Sequence, residues 1–109
     1  MEENLFNIGD LCKHFKGKSL LEKNIYKIIA TNVTYSGDKL EEPLNNLVVY
    51  ENIFQNGKTF TREYKDLVEE LSEEKKNTYN QVYRVEKLTE EEIKLVNSEE
   101  FKKEKMKLK

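Results

Sequence analysis

LVVYENIFQNGKTFTREY, residues 47–64, decides how the rest of the chain is read. Its first eight residues are β-branched, aromatic or apolar often enough to predict a strand over 47–54. Asn56-Gly57 follows, and this pair tolerates positive φ at both positions, the strongest short hairpin signal. The returning strand, KTFTREY, puts Phe60 and Arg62 on one face and Thr59 and Thr61 on the other. Upstream, IYKIIATNV (25–33) predicts another strand. Tyr35-Ser36-Gly37-Asp38 then supplies turn chemistry, and the stretch through Pro43 and Asn45-Asn46 reads as exposed loop. LCKHFKGK (11–18) reads as a short strand entering a turn.

Downstream, YKDLVEELSEE (64–74) carries Tyr64, Leu67, Val68 and Leu71 at helical spacing, enough for a short helix or helical turn, and Lys75-Lys76-Asn77 reads as loop. YNQVYRVEKL (79–88) alternates as a strand would. Thr89-Glu90-Glu91-Glu92 is a capping box that opens a helix through Val96, with Leu88, Ile93 and Val96 to bury. Ser98 restarts it, acidic residues first and lysines last, in the order that suits the helix dipole. The expected fold is mainly β (α+β): a small twisted antiparallel sheet or partly open barrel with a C-terminal helical tail. The expected boundary separates a β-barrel-like domain, 1–87, from a charged helical extension, 88–109.

The 109 residues suit one domain, and 37% charged against 37% hydrophobic leaves material for a modest core. The final nine residues hold five lysines and one glutamate, +4, so the net charge of −2 places −6 on residues 1–100. An acidic body is a poor general ligand for phosphate backbones, which ranks RNA and DNA last among partners. The terminal lysines read as a solvated helix end. Uncharged stretches are too short to span a bilayer, and the acidic start MEENLF does not predict a secretory signal. With only Cys12, neither an internal disulfide nor a cysteine zinc cage can form, so the expected location is the reducing cytoplasm.

Catalysis is the weaker class. Cys12 and His14 would share a strand face, but a dyad also needs an activated thiol and an oriented base. Cys12 reads as a small apolar residue and His14 as a pocket-edge hydrogen-bonding group. The acidic runs have no EF-hand register and no second histidine, so no metal site or cofactor is implied. The four glycines are scattered, which excludes a phosphate loop. Binding is easier to build. Tyr50 and Phe60 offer flat faces and Arg62 a planar fork, the ingredients of a nucleotide pocket. The bland alternative puts both rings in the core and pairs Arg62 with a glutamate. Arginine is scarce, Arg62 and Arg84 alone among nineteen basic residues, so lysine would have served wherever charge sufficed.

Lys13-His14-Phe15-Lys16-Gly17, then YKIIATNVTYSGD, then Leu47-Val48-Val49-Tyr50, Phe54, Gly57 and Phe60-Thr61-Arg62 together resemble the bacterial and phage family called domain of unknown function 1653. The resemblance covers about residues 9–72 and, more weakly, extends to 87. It implies a small, strongly bent β-sheet domain of SH3-like barrel type with no settled activity. Phe60 stands where the family has Trp, and Glu63 where it has Pro. Ser19–Asn24 looks inserted, the Asp38–Asn46 loop is longer than usual, and 88–109 looks added. Carried over by position, the shared polar and aromatic set is His14, Lys16, Tyr50, Phe60 and Arg62.

The expected function is therefore a non-enzymatic binding domain for a small anionic ligand, a nucleotide or nucleotide-derived signal. Phage-borne members suggest a sequestering role. The alternatives are a protein-interaction module, with a homo-oligomer through the C-terminal helix, and a phosphoesterase-like enzyme using His14.

Overall fold

Period-two alternation sends successive strand residues to opposite faces, and each face of this sheet has its own apolar cluster. The computed structural model describes residues 5–108. Five strands, β1 (Leu11–His14), β2 (Ile25–Tyr35), β3 (Leu44–Asn52), β4 (Lys58–Glu63) and β5 (Val85–Lys87), pair antiparallel in the order β4-β3-β2-β1-β5. β4 and β5 are edges that do not meet, so the sheet is open, mainly β with helices, as expected from the sequence. It is strongly bent: the rings of Tyr26 on β2 and Phe60 on β4 lie 5.9 Å apart across the intervening β3. Bulges in the β2–β3 register help bend it, one of them, between Ala30 and Val33, containing Asn32 at φ 54°, where Asn tolerates the left-handed region.

The inner face buries Cys12, Tyr26, Ile28, Val48, Tyr50 and Val85 with Phe6, Tyr64 and Leu67. Tyr64 and Leu67 belong to α1 (Tyr64–Leu67), one turn that follows β4 directly. The outer face buries Ile25 under Leu88, Val96 and Phe101. Val96 lies on α3 (Glu90–Val96) and Phe101 on α4 (Glu99–Lys107). Residues 88–108 thus share a core with the sheet. Both helices start as their sequences predict. Thr89 Oγ1 accepts from the Glu92 amide at 3.2 Å, and Glu92 Oε1 accepts from the Thr89 amide at 3.0 Å. Ser98 Oγ accepts from the Phe101 amide at 3.2 Å.

Four local expectations need correction. β3 begins at Leu44 rather than 47, because Tyr35 pairs with Leu44 and Thr34 bonds Asn45 (3.1 Å), so the expected loop residues Asn45-Asn46 are strand. β3 ends at Asn52, not 54: the Asn52 side chain accepts from the Phe54 amide (3.0 Å), and the Phe54 ring turns to Phe101 at 6.0 Å. Asn56 and Gly57 do take positive φ, 51° and 71°, inside this longer turn. Of the short helix or helical turn expected in 64–74, one turn forms as α1, and the loop expected at 75–77 does not. The Leu71 amide donates to the Val82 carbonyl (2.8 Å) and the Arg84 amide to the Glu69 carbonyl (2.9 Å). Ser72 then caps a separate helix, α2 (Glu73–Tyr79), so Lys75-Lys76-Asn77 is helical and not loop. Finally, the strand expected over 79–88 shrinks to β5. Asn80 ends α2 in the left-handed region, and the Glu86 carboxylate accepts from the Val82 and Tyr83 amides (2.7 and 2.9 Å), curling the approach.

The lysine-rich end is also not wholly solvated. Lys105 is 9% exposed, and its ammonium donates to the carbonyls of Leu21 and Lys23. Buried Lys23 in turn donates to the carbonyls of Phe15 (2.7 Å) and Tyr79 (3.1 Å). Two lysines therefore pin the β1–β2 loop to the rest of the molecule. Burial lowers both pKa values, since desolvation disfavours the charged ammonium.

Candidate functional site

The bent inner face leaves a cleft of about 200 Å³ that draws on every strand. Register explains which residues reach it. Val48 opposes Arg62 and Tyr50 opposes Phe60, while Ile28 opposes Tyr50 and Cys12 opposes Tyr26, so these residues share the inner face with His14. Leu67 from α1 and Val85 from β5 complete the apolar lining, and the β1–β2 loop brings Phe15 and Lys16. Arg84, just ahead of β5, faces the same space. All five residues singled out from the sequence, His14, Lys16, Tyr50, Phe60 and Arg62, line this one cleft.

The aromatic rings form a continuous wall. Tyr26 and Tyr50 are 4.7 Å apart and Tyr50 and Phe60 stack at 5.6 Å. His14 stacks on Phe15 at 4.7 Å and meets the Tyr26 ring edge-on at 6.4 Å. Tyr50 is buried, as the bland reading held, yet its ring also lines the cleft. Arg62 is exposed and forms no ion pair with a glutamate among the described residues.

Electrostatics give the cleft one sign. Its lining holds Lys16, Arg62 and Arg84 and no carboxylate, on a chain with more acidic than basic residues. His14 registers this: burial, then Arg84, Lys16, Arg62 and Lys23, push its pKa down to about 4. The imidazole is therefore neutral at physiological pH. Burial raises the Tyr50 hydroxyl and outweighs the Arg62 guanidinium beside it, which favours the phenolate. Cys12 is 0% exposed, and burial followed by the Asp10 charge pushes its thiol up to about 12. A thiol that is neither ionised nor accessible is not a nucleophile. A histidine near 4 is likewise a weak general base at pH 7.

Sequence reasoning missed Tyr26, Phe15 and Arg84 in this cleft. The signal for Arg84 was present, since it is the second of two arginines, but the strand expected over 79–88 gave it no partner. A larger cavity of about 600 Å³ lies between the N-terminal segment, α1 and β5. Its walls, Leu5, Phe6, Tyr64, Val68 and Tyr83 with Glu86 and Lys87, are mainly apolar and bring one charge of each sign, whereas the smaller cleft gathers three cations. Among the described residues no group of three His, Cys, Asp or Glu could hold a metal ion, and no helix is long and apolar enough to cross a membrane. Comparison with protein families, with curated proteins and with solved structures returns no match for this chain.

The low His14 pKa has a measurable consequence. The unfolded chain takes up a proton near pH 6.5, whereas the folded chain does so only near 4. Stability is therefore intact above pH 6.5 and falls as the pH drops towards 4. In His14→Gln this share of the slope is expected to vanish, leaving only the carboxylates. Urea unfolding of both proteins at steps from pH 7 to pH 4 checks it, and parallel curves would contradict a neutral His14.

Proposed function

We propose that the protein is a non-enzymatic binding domain that holds a small anionic ligand, a nucleotide or nucleotide-derived signal, against the aromatic wall of the cleft. The observation that carries this reading is the charge of the lining: Lys16, Arg62 and Arg84 converge without a carboxylate, although acidic residues outnumber basic ones in the chain. Guanidinium forks match phosphate and carboxylate oxygens, and rings beside them offer stacking faces to a base. A buried protonated Cys12 and a neutral His14 favour holding a ligand over transforming it. The resemblance to domain of unknown function 1653 adds a setting, a phage-type protein that sequesters a signal; that step rests on analogy and not on the site.

The test is thermal unfolding against nucleotides, cyclic dinucleotides and ADP-ribose derivatives. A ligand at a hundred times its dissociation constant stabilises by about 2.7 kcal/mol, which is several degrees for a domain of this size. One compound class is expected to produce that shift in the wild type and not in Arg62→Ala. A flat panel on a folded protein would turn the search to protein partners.

A further inference from the structure

The dimensions and charge of the cleft narrow its ligand. At about 200 Å³ it falls below the roughly 300–1,000 Å³ of sites that enclose whole drug-sized molecules. It therefore takes one end of a ligand, and that end meets three cations and no carboxylate. A phosphodiester brings a single negative charge. A terminal phosphate monoester brings about 1.5 to 2, with three strong acceptor oxygens. Two guanidinium forks need acceptors in that number.

The two forks come from opposite sides of the opening. Arg62 sits on β4 and Arg84 directly precedes β5, the two edge strands that do not pair with each other. The Nε of Arg84 is buried and has no hydrogen-bond partner in the described residues, although native structures rarely leave such a donor unmet. His14 adds a further donor. Its Nδ1 accepts from the Lys16 amide at 3.3 Å, which leaves the ring proton on Nε2.

We propose that the cleft is built for a terminal phosphate monoester, held between Arg62 and Arg84 across the open seam of the sheet, with the Nε2–H of His14 as an additional donor. The proposal rests on the reading of the cleft as an anion site and narrows it to one phosphate chemistry. The ligand then links two edge strands that the fold leaves apart. Diesters, cyclic dinucleotides among them, lack the second charge and the third free oxygen.

His14 is the single histidine of the chain, so its imidazole NMR signals are an unambiguous reporter. The full-length protein is titrated with methyl phosphate and with dimethyl phosphate at matched ionic strength, above pH 7, where the monoester (second pKa about 6) is a dianion. Methyl phosphate is expected to shift the His14 resonances saturably and to raise the pH at which the ring titrates, with dimethyl phosphate binding at least about tenfold more weakly. Arg62→Ala and Arg84→Ala are each expected to lose the response. Arg84→Lys keeps the charge without the fork and guards against misfolding; it is expected to retain the wild-type unfolding midpoint and bind more weakly than wild type. Equal binding of the two esters, or an Arg84→Ala protein that binds methyl phosphate as the wild type does, would overturn the monoester clamp. Silence towards both esters would overturn it too, while a thermal shift with a cyclic dinucleotide would leave the anion cleft itself standing.

Discussion

The double substitution Arg62→Ala/Arg84→Ala is expected to abolish anion binding and to let His14 titrate at a higher pH. Both side chains line the cleft, and both are among the charges that hold the imidazole pKa near 4. A hydrogen bond to a charged group contributes about 1.5–3 kcal/mol, so each arginine accounts for roughly a tenfold to hundredfold change in affinity. The two act on one ligand group, and their combined loss is not the simple sum. The His14 pKa is expected to recover only part of the way towards 6.5, since burial is the largest cause of its depression and remains. Calorimetric titration with the ligand found by thermal screening measures the first effect, and NMR titration of the imidazole the second. Unchanged affinity in the double variant would move the anion site elsewhere, and an unchanged His14 would mean that burial and the remaining lysines set its pKa without the arginines.

Phe101→Ala is expected to cost about 3–5 kcal/mol, the usual range for emptying a buried aromatic site. Phe101 is 4% exposed and lies beside Ile25, Leu88 and Val96, with Phe54 at 6.0 Å. Domains of this kind are stable by only about 5–15 kcal/mol, so one side chain on the last helix decides a large share of the fold. Stopping the chain after Lys87 removes Leu88, Val96, Phe101 and Lys105 together, and that fragment is expected not to fold. Ile25, 0% exposed in the whole protein, would meet water, and the β1–β2 loop that carries Lys16 would lose the Lys105 ammonium that holds its carbonyls. Met106→Ala, on the exposed side of the same helix, is expected to stay within about 0.5 kcal/mol of the wild type. Urea unfolding of the point variants and the amide NMR dispersion of the truncated chain check this. A folded 1–87 fragment would mean that the outer-face cluster is dispensable.

Local chemistry was legible before any coordinates. The Asn56-Gly57 turn, the capping box at Thr89 and the cap at Ser98 depend on groups within a few residues of one another, and each forms as its sequence predicts. Alternation along β4 likewise put Phe60 and Arg62 on one face, and all five residues named from the sequence reach one cleft. The segment 68–84 resisted the same reading. The loop expected at 75–77 is helix, bounded by Ser72 and Asn80, and backbone hydrogen bonds from Leu71 to Val82 and from Arg84 to Glu69 override most of the strand expected over 79–88.

By itself the sequence determined that β1 to β4 form, the faces of β4, the turn and the caps, because these follow from side-chain period and from hydrogen bonds between near neighbours. Tertiary structure alone decided how closely the β2 and β4 rings approach, that Arg84 lines the same cleft as Arg62, and that the lysine-rich tail closes over Ile25. Those outcomes depend on contacts between residues tens of positions apart, such as Lys105 with Leu21 and Lys23. Their free energy comes from burial shared across the whole molecule, and no local window of sequence contains it.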